Sequence, residues 1–240
     1  MIDVLDNGAI VQELFVVEER AGEAAAERSR AAGIPVHVVG WPVAKAISDS
    51  VTPQGVIAVA GSPLQELGAI QARSGLAVIL AAVSDPGNVG TLVRSAAAAG
   101  ADGVILTEGS SDVLNPKTAR ASASALFSVP LVADVSLEAA VEHVRSLGFV
   151  IIGTDARADK TIYDTDLTQP IALVLGNESW GLSDGDVGVV DHAMSIPMPG
   201  VVESLNVGVA GSIVIFEALR QRDPSRGTQV SSIDSEEATS

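Results

Sequence analysis

Residues Ser195–Ala210 read S-I-P-M-P-G-V-V-E-S-L-N-V-G-V-A, a short strand running into two prolines and a glycine and then into an apolar helix. Ser204 and Asn206 stand at the mouth of that helix. Prolines fix the backbone, small residues admit a ligand closely, and a helix N-terminus offers unpaired N–H groups. The stretch therefore suits a loop that grips a compact polar ligand. Ser and Asn are also common helix caps, and taken alone the segment reads as a capped helix start. Two glycine-bearing loops upstream change that reading.

From Leu76 the chain alternates regularly between strand and helix. Strand Ala77–Val83 leads to helix Val89–Ala99, strand Gly103–Thr107 to helix Pro116–Leu126, and strand Leu131–Ala133 to helix Leu137–Leu147. Strand Phe149–Thr154 precedes a polar loop and strand Ile171–Leu175. A last strand, Ala193–Pro197, enters the final helix, Asn206–Arg222. The strands are almost continuously apolar, as in a parallel sheet covered on both faces. The fold class is α/β.

Ahead of this lies a smaller α/β unit. It opens on a helix stopped at Asn7-Gly8, then strand Glu13–Val17, helix Gly22–Ala32, strand Pro35–Val39, a short helix near Val43–Ile47 and strand Gly55–Ala60. The unit begins abruptly, which points to a segment missing ahead of Met1. Residues Ser62–Ser74 read as a helical connector. The expected division is a small domain over 1–61, a linker over 62–75, a large domain over 76–222 and a disordered tail over 223–240, rich in Ser, Thr and acids.

Composition narrows the function. There are no cysteines, and the three histidines, His37, His143 and His192, show no metal-ligand spacing, so no metal site is expected. The N-terminus lacks a signal-peptide pattern, and the apolar runs near Leu76–Val83 and Val207–Phe216 fall short of the roughly 20 residues that span a bilayer. A soluble cytoplasmic protein is expected, with no membrane partner. The net charge of −16, from 14 basic against 30 acidic residues, counts against a general nucleic-acid binder. Any RNA contact must rest on local basic sites.

The first glycine-bearing loop is Asp85–Gly100, D-P-G-N-V-G-T-L-V-R-S-A-A-A-A-G. Gly87 and Gly90 read as the turn from strand to helix, Asn88 as the N-cap, and Arg94 as the single charge between Asp85 and Asp102. An arginine on an arbitrary helix is surface decoration; a lone one among small apolar residues suggests a specific task. The second is Val174–Ser183, V-L-G-N-E-S-W-G-L-S, where a buried strand ends at Gly176-Asn177-Glu178. Ligands of α/β proteins sit at such carboxyl ends, and a carboxylate there is either solvated and idle or holds an arginine or a ligand hydroxyl. None of the loops is G-x-G-x-x-G, a P-loop or G-x-S-x-G, so dinucleotide, triphosphate and hydrolase chemistry find no support.

In this order and spacing, the three segments resemble the three motifs of the SpoU-type (TrmH-like) branch of the SPOUT methyltransferases. The matching residues are Asn88, Gly90, Arg94 and Gly100; Gly176, Asn177, Glu178 and Gly181; and Ile196, Pro197, Met198, Gly200, Ser204, Leu205, Asn206, Val207 and Ala210. V-T-P-Q-G-V-I-A-V-A, Val51–Ala60, is similar to the end of the small substrate-binding domain of rRNA-directed members, and Asn115–Ala125 to a helix beside their active site.

The resemblance implies a parallel sheet with a C-terminal trefoil knot, a rare exception to chain topology, preceded by an N-terminally truncated α/β substrate-binding domain. It implies methyl transfer from S-adenosylmethionine to a ribose 2′-hydroxyl of RNA, most readily rRNA. The cofactor would be held by Leu175, Gly176, Asn177, Ile196, Pro197, Met198, Leu205 and Ala210. The catalytic set would be Asn88, Arg94, Glu178, Ser204 and Asn206, with Arg94, Lys117 and Arg120 on the RNA. It also implies a homodimer through the knot region, an expectation that the apolar run Ile213–Phe216 fits as well as it fits internal packing. A catalytically silent RNA-binding member and a tRNA-directed methyltransferase are the alternative readings.

Overall fold

A computed structural model describes residues 2–7, 9–48, 52–177 and 188–223. Glu178, Gly181 and the tail beyond Asp223 lie outside them. Two separate sheets form. The smaller is built from α1 (Ile2–Asp6), β1 (Val11–Val17), α2 (Ala24–Ala31), β2 (Val36–Val39), α3 (Trp41–Ile47) and β3 (Val56–Ala60). Its order is β2-β1-β3, with β1 parallel to β2 and antiparallel to β3. Leu14, Val16 and Ala26 form its core.

The larger sheet contains β4 (Leu76–Leu80), β5 (Gly103–Thr107), β6 (Leu131–Val135), β7 (Val150–Thr154), β8 (Ile171–Leu175) and β9 (His192–Met194), interleaved with α4 (Pro86–Ala98), α5 (Pro116–Ser122), α6 (Leu137–Ser146) and α7 (Val207–Arg222). The order is β6-β5-β4-β8-β7-β9, every pair parallel. β4 and β8 are central, fully buried and without a charge, as burial on both faces demands. Side chains alternate between two layers. Val78, Leu80, Leu173 and Leu175 meet Val89, Leu92 and Val93 of α4 and Val214, Ile215 and Ala218 of α7. On the opposite face Ala77, Ile79, Ala172 and Val174 meet Ala140, Val141 and Val144 of α6. No helix among the described residues is long and apolar enough to cross a membrane.

Several local expectations are revised. The N-cap of α4 is Asp85, not Asn88: the Asp85 side chain accepts the Asn88 N–H at 2.9 Å, and Pro86 opens the helix at a position that needs no donor. Gly90 does not make the turn either. A Cβ there would stand 2.6 Å from both Ala121 Cβ and Thr118 O, so the glycine lets α4 lie against α5. The turn after β4 falls on Ala82, whose φ of 53° is unusual for a residue other than glycine.

The segment after β3 is not a helical connector. It contains one 3-10 turn, Leu67–Ala69, and a parallel bridge from Leu64 to Leu131. Pro63 and Gly68 disfavour a helix, and the Asp102 carboxylate takes the N–H groups of Arg73, Ser74 and Gly75 at 3.1, 2.7 and 2.8 Å. Helix α5 also ends earlier than the spacing suggests. The Ser122 hydroxyl turns back to Ala119 O at 3.1 Å, competing with the ladder, and Ala123 leaves the helix at φ 53°.

The C-terminal turn of α7 stitches the fold together. Arg222 donates to the carbonyls of Leu167 (2.8 Å), Gly75 (2.9 Å) and Gln169 (2.8 Å), and Gln221 accepts the Leu167 N–H at 2.9 Å. Glu217 receives Arg220 in a bidentate pair, 2.7 Å at each oxygen, and Gln221 at 2.9 Å. Arg220 first, then Gln221, hold the Glu217 carboxyl below its ordinary value against the opposing effect of burial.

Two outcomes follow from this packing. Gly90→Ala is expected to cost about 1–3 kcal/mol, because backbone atoms of α5 must give way, and to lower the melting temperature by several degrees. Because the folded pKa of Glu217 is depressed, its contribution is complete above the unfolded value of about 4.3 and is lost as pH falls through the folded one. Glu217→Gln should therefore flatten the acid limb of stability against pH, measured by urea unfolding below about pH 4.3.

Candidate active site

In an open parallel sheet, ligands settle beyond the carboxyl ends of the strands where the strand order changes direction. Here β5 and β6 lie on one side of β4, and β8, β7 and β9 on the other, so that point lies between the ends of β4 and β8. Ala82 and Asn177 meet there: Asn177 Nδ2 donates to Ala82 O at 2.8 Å, and the Ala82 N–H reaches Thr107 Oγ1 at 3.0 Å. The left-handed conformation of Ala82 is thus held from both sides, a pattern common where strain serves a site. This contact joins the second motif loop to the turn that leads into the first.

The third arrives with α7. Asn206 is its N-cap, the side-chain oxygen accepting the Val209 N–H at 3.2 Å, while Nδ2 donates to Asn88 Oδ1 at 2.9 Å. Because Asp85 does the capping of α4, the Asn88 side chain is available for this bond. A Cβ on Gly208 would stand 3.1 Å from Asn206 Oδ1 and 3.2 Å from Asn88 Oδ1, so glycine is what fits beside the pair. One turn on, a Cβ on Gly211 would meet Leu92 at 2.4 Å and Leu175 at 2.5 Å. Ser95 and Ser212 hydroxyls then meet at 2.7 Å. Asn88, Leu92 and Ser95, at helical spacings of four and three, form the stripe of α4 that receives α7.

Of the residues matched to a cofactor site, Leu175 and Gly176 are buried, Asn177, Ile196, Met198 and Ala210 are half-buried, and Pro197 and Leu205 are exposed. Aliphatic walls with main-chain groups at a strand end suit a flat heterocycle and its sugar. Ser204 is exposed and makes no hydrogen bond among the described residues. Arg94 is likewise exposed and without an ion pair there, about 120° round α4 from Asn88. The fold brings together Asn88, Leu175, Asn177 and Asn206; no hydrogen bond among the described residues ties Arg94 or Ser204 to them. Lys117 pairs with Asp85 at 2.8 Å, and Arg120 is exposed. Every charged residue of α4 and α5 is basic. Ala82, Thr107 and Asp85 were missed: nothing in an alanine signals a left-handed turn, and D-P before a helix reads only as a helix start.

The family comparison agrees with this geometry. Residues 75–216 match the model described as the SpoU rRNA Methylase family. The chain belongs to that family. Residues 2–65 match a second model, RNA 2′-O ribose methyltransferase substrate binding. The chain is 39% identical over 176 residues to the 23S rRNA (uridine(2479)-2′-O)-methyltransferase of Streptomyces viridochromogenes, covering 71% of this chain and 61% of that enzyme. It is 37% identical over 203 residues to the 23S rRNA (guanosine-2′-O-)-methyltransferase RlmB of Xanthomonas axonopodis pv. citri, covering 82% of each. The crystal structure of the SpoU methyltransferase AviRb from S. viridochromogenes with AdoMet superposes with a TM-score of 0.80 at 33% identity, over 92% of this chain and 86% of that one.

The dual role of Asn206 is open to test. Asn206→Ala should lose about 1–2 kcal/mol of stability with the cap. Asn206→Asp keeps the capping oxygen and gives up the donor to Asn88, so it should unfold at a higher denaturant concentration than the alanine variant. Equal midpoints for the two would show that the capping bond is no stronger than the repulsion between the new carboxylate oxygen and Asn88 Oδ1.

Proposed function

We propose that this protein transfers a methyl group from S-adenosylmethionine to a ribose 2′-hydroxyl of RNA, with rRNA as the substrate class. The observation that carries this reading is the meeting of the three motif segments at the ends of β4 and β8, in a member of the SpoU family. A substrate-binding match over residues 2–65 supports the two-part division, a small RNA-binding domain over 1–61 linked through 62–75 to a catalytic domain over 76–222. rRNA is favoured because the relatives named above act on 23S rRNA.

Leu175, Gly176, Asn177, Ile196, Pro197, Met198, Leu205 and Ala210 would hold the cofactor. Bound there, S-adenosylmethionine would supply an electrophilic methyl on a sulfonium: the ribose oxygen would take the methyl, the neutral thioether would leave with the C–S bonding pair, and the hydroxyl proton would pass to solvent water. The protein's task is to align that oxygen and to favour its developing negative charge. Asn88 and Asn206 fix the geometry of the pocket mouth, with Ser204 and Glu178 completing the set. Arg94 pairs with the target phosphate and stabilises the alkoxide; a guanidinium that stays protonated suits that task better than proton removal. Arg94, Lys117 and Arg120 give an otherwise acidic chain its local attraction for a phosphate backbone.

Two further features belong to the same reading: a trefoil knot in the C-terminal part, and a homodimer. Val209, Ile213 and Phe216 of α7, at helical spacings of four and three, are 49%, 36% and 47% exposed, a face that a second copy would cover. Arg94 and Ser204 are exposed and without a hydrogen bond or ion pair among the described residues, and a second copy would be one source of partners for them.

Arg94→Ala should retain cofactor binding by calorimetry and lose methyl transfer by about 100-fold or more, as removal of a charge-stabilising donor does. Undiminished tritium-methyl transfer by this variant would remove Arg94 from the mechanism. A monomer at micromolar concentration in sedimentation would remove the dimer.

A further inference from the structure

The hydrogen bonds at the start of α4 continue in an unbroken line to the start of α7. Lys117, in the first turn of α5, donates from Nζ to Asp85 Oδ2 at 2.8 Å. Asp85 Oδ1 accepts the Asn88 main-chain N–H at 2.9 Å. Asn88 Oδ1 accepts from Asn206 Nδ2 at 2.9 Å, and Asn206 Oδ1 accepts the Val209 N–H at 3.2 Å. Three helices are joined in this way. One end of the line is an exposed cation on a surface whose helices carry only basic charge; the other caps the helix that bears the third motif.

Asp85 is the branch point, since its two oxygens serve different helices. Its surroundings fix it in place. A Cβ on Gly87 would stand 2.8 Å from Asp85 Oδ1 and 3.6 Å from Lys117 Cε, so any larger residue there would displace the pair. Lys117 first, then the Asn88 N–H, hold the Asp85 carboxyl below its ordinary value, so both oxygens act as acceptors at neutral pH.

We propose that Asp85 is a positioning residue for methyl transfer, presenting Asn88 to Asn206 with one oxygen and Lys117 to an RNA phosphate with the other. This rests on the reading of the site given above and adds a residue to it. An ammonium has three donors, so Lys117 can keep one on Asp85 Oδ2 while another meets a phosphodiester oxygen; the carboxylate that orients the cation is the one that sets the Asn88 turn. RNA contact and pocket geometry are thereby linked, and linkage between two binding sites is reciprocal.

The two oxygens can be separated by substitution. Asp85→Ala removes both contacts. Asp85→Asn keeps an acceptor for the Asn88 N–H and loses the charge that holds Lys117, while Lys117→Met removes the cation alone. With in vitro transcribed 23S rRNA and tritium-methyl S-adenosylmethionine, Asp85→Ala should lower kcat by about 10–100-fold, the usual cost of a misplaced site, and raise the KM for RNA. Asp85→Asn should return kcat close to the wild-type value and leave the KM raised. Lys117→Met should raise KM alone, and the Asp85→Asn/Lys117→Met double variant should raise it no further than the larger single effect. Melting curves establish that each variant is folded at the assay temperature. An unchanged kcat in Asp85→Ala, or KM effects that multiply in the double variant, would overturn the proposal while wild-type activity left the reading of the site intact. Wild-type protein that neither binds S-adenosylmethionine in calorimetry nor methylates the transcript would defeat both.

Discussion

The close approach of α7 to α4 is the constraint on which the rest of the large domain depends. Two helices meet at this distance only where one presents no side chain, and Gly208 and Gly211 supply those positions. Gly211 admits Leu92 and Leu175 at once, so helix, helix and strand end share one contact. Gly208 admits the Asn88–Asn206 bond. Were the helices an ångström or two further apart, Asn206 could still cap α7, but it could not reach Asn88 as well. The meeting of Asn88 with Asn206 is thus made possible by packing: the glycines that let the helices approach are small, apolar and chemically silent.

Much of the large sheet was legible because burial on two faces leaves a plain mark. Gly103–Thr107 and Ile171–Leu175 appear at the bounds their apolar runs suggest, and Asn206 begins the last helix as its cap. What failed to show in the sequence were features decided by tertiary competition. The segment at 62–74 has enough apolar residues for a helix, yet the Asp102 carboxylate, from the bend before β5, takes the N–H groups of Arg73, Ser74 and the following Gly75. Ser122 ends α5 by bonding backward. Asn88 looked like a cap because Asn often is one, and Asp85 three residues earlier took the position and left Asn88 for another partner. Motif order singled out Asn88 and Asn206, whereas which of them caps a helix and which bridges emerged only from which oxygen faces which donor.

Electrostatics gives the molecule two kinds of surface. Most of its cations are spent internally or on neighbouring carboxylates, as with Arg28 and Asp6, Arg145 and Asp191, Arg157 and Asp155, and Arg220 and Glu217. Arg222 goes entirely to main-chain carbonyls. On α4 and α5 Lys117 pairs with Asp85, but Arg94 and Arg120 lack any carboxylate partner among the described residues. With screening over about 8–10 Å in physiological salt, a strongly acidic protein can still offer a short stretch of positive potential. Discrimination against wrong contacts then comes from the repulsion that surrounds it.

The junction between the two sheets has its own geometry. Gly75 is clamped on both sides, its N–H by Asp102 and its carbonyl by Arg222, and Leu64 and Gln65 are already tied to Leu131. On the other side, Gly61 belongs to the small sheet through Ile10. Only Ser62 and Pro63 lie between the two sets of bonds, and across the gap Asn7 reaches Ser128. Among the described residues, the small sheet is therefore tethered by two residues and one polar catch, and the Ser62 hydroxyl accepts the Leu64 N–H at 3.2 Å across the tether. Two residues span at most about 7 Å, so the edge of the small sheet at Gly61 stays close to its anchor at Leu64.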